Sequence, residues 1–391
     1  MKSSSFLKKT IDGIYPELVA LRREMHQFPE LAWQEVETTK RVERFLRDQN
    51  FTSFRYPLET GLICDLIRKE NTETVAFRAD LDALPIQDEK KVPYRSKNSG
   101  VCHACGHDVH TAIVCGIAGV LNSIQETLPV NVRFVFQPAE EPIPTGAPKM
   151  IEKGALKGVD TIWGLHIEPN LPLGTVSLTS GWVNAQCNRL KWEILGKGGH
   201  SARPHQAIDP LWAGIQLIQQ MYQTAYHHWS EPDYPLVMSF TKFESGSAYN
   251  AIPDTALLEG TLRLTKQEKW ADILDQLKKI NRSIETSTAV KIKFDKFMGA
   301  PPVVNDPILI SKFLEITKKE ISDVMYQSDF RSLGGDDFGY YSTIIPAAMI
   351  RFGVGQSENP PGLHTGLFDV NEEVIKIGVR FFVLQLLNWH K

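Results

Sequence analysis

Cysteine is scarce in this 391-residue chain: Cys64, Cys102, Cys105, Cys115 and Cys187 are the only five. An odd and thinly spread set excludes a disulfide-stapled secreted scaffold and points to a reducing, cytoplasmic setting. A charge imbalance is missing too. Lys+Arg 43 against Asp+Glu 46 leaves a net charge of −3, which gives no electrostatic footprint for nucleic acid or an anionic membrane. The longest apolar stretch, Ala112 to Leu121, is about half of a membrane span and is interrupted by glycine. The opening MKSSSFLKKTIDGIYPELV has no apolar h-region, so no signal peptide is expected. No repeat or low-complexity tract occurs, and 42% hydrophobic with 23% charged residues excludes extensive disorder. A length near 400 predicts about two domains.

The segment to about Leu46 has apolar residues at helical spacing. After it, TVAFRAD, NVRFVFQPA, DTIWGLH and AAMIRFGVG are short runs rich in Val, Ile, Phe and Trp, which read as buried strands. TAIVCGIAGVLNSIQ reads as a helix between two of them. This alternation predicts a mainly parallel α/β sheet. The rhythm changes over residues 182–297. RLKWEILGKG, YPLVMSFTKFESG, TALLEGTLRLT and AVKIKFDKF read as strands. DPLWAGIQLIQQMYQTAYHH, with Asp209 as N-cap, and QEKWADILDQLKKINRSIE read as helices. The order β-α-β-β-α-β is the ferredoxin-like split unit. The expectation is an α+β domain at 182–297 inserted into a discontinuous α/β domain of 1–181 and 298–391.

The densest chemistry is Cys102-His103-Ala104-Cys105-Gly106-His107-Asp108-Val109-His110. Of eleven His and five Cys in the whole chain, five fall in these nine positions. Imidazole and thiolate are preferred donors for zinc and its neighbours. A zinc ribbon needs a second Cys-x-x-Cys, and a zincin needs His-Glu-x-x-His; both are absent. A redox pair at Cys102 and Cys105 has no use for three interleaved histidines. A packed segment capping the following helix remains an alternative.

Glu140 and Glu141 directly follow an apolar strand. In extended chain, successive side chains point to opposite sides, so one carboxylate can bind metal while the other faces a water. A solvated loop pair is the simpler reading of two glutamates. Their place at a strand end favours the metal, because open α/β sheets bind ligands there. Asp80 and Asp82 follow TVAFR, His166 ends TIWGL, and His364 lies in the loop after MIRFGVG. Four candidate strands thus each deliver a ligand-type residue near the C-terminal end.

Taken together, RADLDALP (78–85), HACGHD (103–108), QPAEE (137–141), GLH (164–166), GGHSARPH (198–205) and LHTGLFD (363–369), with HQFPELAWQE (26–35) before them, resemble the M20 family of metallopeptidases. They are most similar to its amidohydrolase branch, the N-acyl-amino-acid, hippurate and indoleacetyl-amino-acid hydrolases. The resemblance runs over nearly the whole chain in the family's order. It implies a large catalytic domain of zinc-peptidase type whose inserted domain is a lid or dimerisation domain, in a homodimer or dimer of dimers. It implies two divalent metals per subunit, with Cys105 bridging, Glu141 and His364 on one metal, and His107 and His166 on the other. The expected ions are zinc or manganese, with cobalt or nickel as alternatives. Glu140 would be the general base, and Asp80, ahead of Asp82, would orient a ligand histidine. His200 would reach a neighbouring subunit's site and polarise the scissile carbonyl, while Asn250 and Arg263 hold the substrate. Asp336, in GGDDF, would support the site without binding metal. The implied substrates are small N-acyl-amino acids or dipeptide-like amides.

The stretch PIPTGAP after Glu141 and the closing LHTGLFD depart from the family's usual runs and leave the acyl preference open. Two further readings stay open at this stage: an aminopeptidase or dipeptidase on the same scaffold, and a binding protein that keeps the shape without the chemistry.

Overall fold

The computed structural model describes residues 4–68, 72–357 and 359–390. Two compact units emerge. One comprises Met1–Val183, Val304–Arg331 and Asp337–Lys391; the other comprises Asn184–Val303 and Ser332–Asp336.

The four apolar runs form the middle of a seven-stranded sheet in the first unit. Its spatial order is Leu62–Leu66, Asn131–Gln137, Thr74–Asp80, Thr161–Pro172, Ala347–Gly355, Thr175–Ser177 and Met325–Gln327. Thr74–Asp80 runs parallel to both of its neighbours, and Ala347–Gly355 runs parallel to Thr161–Pro172. Leu62–Leu66 and Thr175–Ser177 pair antiparallel to this central block. The architecture is therefore mixed α/β. Every residue of Thr74–Asp80 and Asn131–Gln137 is buried, as a sheet covered on both faces requires.

Helix His107–Ser123 is buried through Leu121. It packs against helices Ser4–Gln27 and Glu373–Leu387, and Gly116 permits the approach. A Cβ there would lie 2.5 Å from Val379 Cγ2 and 2.7 Å from Leu18 Cδ1. Phe77, on the sheet, meets Trp163 and Phe382 edge-on at ring-centroid distances of 5.3 and 5.4 Å. Truncating such a ring to Ala costs about 3–5 kcal/mol. The helix begins four residues earlier than apolar periodicity alone predicts, because Gly106 takes up a left-handed φ of 88° and starts it at His107.

The second unit has the β-α-β-β-α-β order. Its antiparallel sheet runs Lys291–Phe297, Gln186–Leu195, Thr255–Leu264, Leu236–Ser245. Gln186–Leu195 alternates between more and less buried residues along its length, the period-2 signature of a sheet covered on one face. Helices Pro210–Thr224 and Trp270–Thr288 supply that cover, with Ala213, Leu217, Ile273 and Leu277 in one buried cluster with Leu190, Trp192 and Ile194. Asp209 caps the first helix as expected, its Oδ1 accepting from Leu211 N at 2.9 Å and Trp212 N at 3.2 Å. No helix among the described residues is long and apolar enough to cross a membrane.

Candidate metal centre

Parallel strands end on the same side of a sheet, so residues that follow them meet. Asp80 closes Thr74–Asp80, and Glu140 and Glu141 follow Asn131–Gln137. His166 lies inside Thr161–Pro172, which continues past the expected end at His166. His364 sits beyond Ala347–Gly355 in a left-handed conformation, φ 60°, and its backbone N–H donates to Ala104 O at 2.8 Å. That bond ties the last loop to the Cys/His segment.

Donor atoms of Cys105, Glu141 and His364 all lie within 4.8 Å of one another. Nε2 of His364 is 3.4 Å and Nε2 of His107 3.9 Å from the same oxygen, Glu141 Oε1. Cys105 Sγ is 3.5 Å from His166 Nε2. Each of these five expected residues therefore stands within 4.8 Å of at least one other. Glu141 Oε1 is buried and has no hydrogen-bond partner among the described residues. Such an oxygen is costly unless something cationic meets it. Thiol, imidazole and carboxylate together are the donor set of a zinc-like ion.

The ring orientations agree with that use. Nδ1 of His166 donates to the carbonyl of Ile167 at 2.6 Å, and Nδ1 of His107 to the carbonyl of Asp82 at 2.9 Å. Each ring then turns Nε2 toward the centre. His110 is different. Its Nδ1 meets Asp80 Oδ1 at 2.7 Å while its Nε2 accepts from Ile167 N at 3.0 Å. Both nitrogens are in use, so His110 is a scaffold residue.

Asp80 requires a correction. Its carboxylate holds His110 and, at 2.5 Å, Arg78 Nη1; it is 3.9 Å from His107 Nε2, the metal-facing side of that ring. Asp82 is the residue that holds His107, with its carbonyl at 2.9 Å and Oδ1 at 3.3 Å from His107 Nδ1. The two oxygens of Asp82 also accept the backbone amides of Glu140 and Glu141, each at 3.0 Å. The strand ends at Asp80, so the simple alternation of side chains does not extend to Asp82.

Electrostatics reflect the crowding. Burial raises the Cys105 thiol well above its usual range, and Glu141 adds to the rise. Burial opposes a charged His107, yet Asp80, the Cys105 sulfur and Asp82 outweigh it and raise the ring's pKa well above normal. His166 is driven far down by burial, with Arg351 contributing. Burial also opposes ionisation of Asp80, but His107, His110 and Arg78 hold it well below the usual carboxylate range.

Glu140 stands beside the ligand set and is grouped with His107 and Glu141. Its Oε1 accepts the backbone N–H of Asp337 at 3.2 Å. Asp337 is fully buried in a network that sequence reasoning missed. Arg78 Nη2 reaches Asp337 Oδ1 at 2.5 Å, and Gln137 Nε2 reaches its Oδ2 at 2.7 Å. Arg78 thus joins Asp337 to Asp80. The available signal was a charged arginine inside a strand read as buried, TVAFRAD, since a buried charge demands partners. Glu35 was also missed. It is fully buried, and its carboxylate accepts from Ala139 N at 2.8 Å and Thr60 Oγ1 at 2.9 Å.

Three expected residues lie in the smaller unit. His200 and Asn250 are brought together by a short antiparallel ladder that pairs His200 with Ala251, and Ser201 N donates to Asn250 O at 3.2 Å. Both side chains are exposed. His200 Nδ1 accepts from Ala202 N at 3.1 Å, which leaves the proton of the neutral ring on Nε2. Arg263 Nη1 donates to the carbonyl of Leu333 at 2.6 Å, so part of its fork is bound within its own unit.

Comparison with known proteins adds a separate line of observation. Residues 76–388 match the sequence model of peptidase family M20/M25/M40. An N-acetylcysteine deacetylase of Bacillus subtilis strain 168 is 36% identical over 373 residues, 95% of this chain and 96% of its own length. An N-acyl-L-amino acid amidohydrolase of Geobacillus stearothermophilus is 35% identical over 299 residues, 76% of this chain and 80% of its own length. The crystal structure of the Bacillus subtilis YXEP protein, described as a dinuclear metal binding peptidase from the M20 family, has a TM-score of 0.84 at 33% identity, covering 97% of this chain and 99% of that one.

Proposed function

The chain belongs to peptidase family M20/M25/M40, and within it we propose a metal-dependent amidohydrolase that cleaves the amide bond of N-acyl-amino acids. The observation that carries this reading is the buried Glu141 Oε1 with no hydrogen-bond partner among the described residues, faced by His364 and His107, with Glu140 alongside. The deacetylase and amidohydrolase relatives support the reaction class, and the dinuclear relative supports two ions.

Cys105, together with Glu141 and His364 on one side and His107 and His166 on the other, would hold the two ions. Zinc or manganese suits these donors, with cobalt or nickel as substitutes. When bound, such ions lower the pKa of a coordinated water and polarise the carbonyl. Glu140 then accepts the water's proton and passes it to the departing amine, which requires a carboxylate that is not itself a ligand. The Asp337 amide steadies that carboxylate. Asp82 fixes His107 and the two glutamates as one piece.

The smaller unit is assigned as lid and dimerisation domain. His200, with Nε2–H outward, is assigned to the carbonyl oxygen in the site of a second copy, Asn250 to the substrate beside it, and Arg263 to the substrate carboxylate. A cytoplasmic location fits five cysteines that are all free thiols.

The test is a panel of N-acetyl- and N-benzoyl-amino acids and dipeptides, assayed on protein stripped of metal and reloaded with Zn²⁺, Mn²⁺, Co²⁺ or Ni²⁺. N-acyl-amino acids should be hydrolysed, and only after reloading. Turnover confined to dipeptides would move the protein to the peptidase class, and no turnover with any ion would end the assignment.

A further inference from the structure

Three successive backbone amides enter the base-and-ligand pair, and all three end on buried carboxylates. Glu140 N and Glu141 N donate to the two oxygens of Asp82, each at 3.0 Å. Ala139 N donates to Glu35 Oε1 at 2.8 Å. The three amides anchor the segment from two sides, and Glu35 comes from a distant part of the chain, the entrance to helix Val36–Asp48.

Ala139 has a φ of 55°, the left-handed region. An L-residue with a Cβ pays about 1–2 kcal/mol for that conformation, so a neighbour must hold it. Two contacts do so: Glu35 takes its N–H, and Gly146 N donates to its carbonyl at 2.7 Å. Helix capping does not explain the buried carboxylate at position 35. That function falls to Glu30, whose carboxylate accepts the first-turn amides Glu37 N at 3.2 Å and Thr38 N at 2.7 Å, while the side chain of Glu35 makes no capping bond.

We propose that Glu35 is a positioning residue for the reaction: by accepting the Ala139 amide it fixes the left-handed turn and so sets where the carboxylates of Glu140 and Glu141 stand. This rests on the metal-dependent reading above. Glu35 acts through the backbone of the segment it holds.

The experiment compares full-length wild type with Glu35→Ala, Glu35→Gln and the double variant Glu35→Ala/Ala139→Gly. Steady-state kinetics on an N-acetyl-amino acid give kcat and KM separately. In parallel, metal-free protein is titrated with Co²⁺ and followed by d–d absorption, a readout that needs no turnover. Glu35→Ala should lower kcat by about 30–100-fold with KM within about threefold, the signature of displaced catalytic groups, and should weaken Co²⁺ binding by about tenfold. Glu35→Gln keeps an oxygen for the amide and should recover most of both losses. The double variant should regain at least about fivefold in kcat over Glu35→Ala, because glycine adopts the turn unaided; a merely structural role gives no such rescue. Should Glu35→Ala fail to fold, Glu35→Met fills the volume without an acceptor and serves in its place. Wild-type kcat and Co²⁺ affinity in Glu35→Ala, or no gain from the glycine, overturns the inference. A wild-type protein that neither binds Co²⁺ nor hydrolyses the substrate sinks the functional reading instead.

Discussion

Oε1 of Glu141 and Nε2 of His364 stand 3.4 Å apart, although the first follows an inner strand of the sheet and the second closes the last long loop of the chain. The fold brings them together, and the oxygen has no hydrogen-bond partner among the described residues. An ion seated between them stabilises the folded state by binding it preferentially. Chelation should therefore abolish activity and lower the melting temperature, with a free-energy loss of about 2.7 kcal/mol if metal had been present at a hundred times its dissociation constant. Calorimetry with and without chelator checks this. His364→Ala should shrink the shift, and an unchanged shift would place the ion elsewhere.

Replacing Glu140 by Gln removes the proposed proton acceptor while sparing the proposed ligands. The expected loss in kcat is about 10²–10⁴-fold, with metal content, read by elemental analysis, unchanged. Near-native turnover would remove Glu140 from the mechanism.

Asp82 and Asp80 separate two kinds of support. Asp82 holds His107 and the amides of Glu140 and Glu141. Asp82→Asn should weaken metal affinity by about 10–100-fold. Asp80→Asn disturbs Arg78 and His110 first, so it should cost folding stability more than metal affinity. Paired urea melts and metal titrations distinguish the two, and equal effects on both measures would contradict the division of roles.

His200→Ala and Glu140→Gln proteins should each be nearly inactive alone. Unfolded and refolded together, they should regain a fraction of wild-type activity if His200 serves a second copy's site. Failure to regain any would confine His200 to its own chain.

Glu35 also leaves a mark on stability. Burial raises its pKa from 4.5 to about 7, with the charge of Asp82 adding to the rise after the hydrogen bonds are set against it. A raised carboxylate pKa means that the native state binds the proton more tightly than the unfolded chain. Its stabilising contribution is complete below pH 4.5 and is lost as pH climbs through about 7, a change of roughly 3 kcal/mol. Urea unfolding at pH 4.5 and pH 8 should therefore show a larger fall for wild type than for Glu35→Gln, which does not titrate. Parallel pH profiles for the two proteins would contradict it.

The central strands could be read from the sequence because burial on both faces leaves continuous apolar runs such as NVRFVFQ. The Cys/His segment could be read because its donors are adjacent in the chain. Arg78, Asp337 and Glu35 could not, since each is a single charged residue whose meaning lies in a partner far away: Arg78 in Asp337, Asp337 in Glu140, Glu35 in Ala139. The preference for Asp80 over Asp82 comes from the family resemblance; which of the two meets His107 depends on the turn beyond the strand, which stops at Asp80.

The hollow at Gly106 constrains any attempt to redesign the centre. Ile167 fills it, so that a methyl group on residue 106 would come within 2.1 Å of the Ile167 Cδ1 atom. Ile167 is the immediate neighbour of His166, and Gly106 separates Cys105 from His107. Directed evolution toward a different ion meets a constraint at the middle of the 105–107 segment: a side chain at position 106 forces the tip of Ile167 to move and strains the left-handed turn, so successful lineages should alter positions 106 and 167 together or leave both untouched.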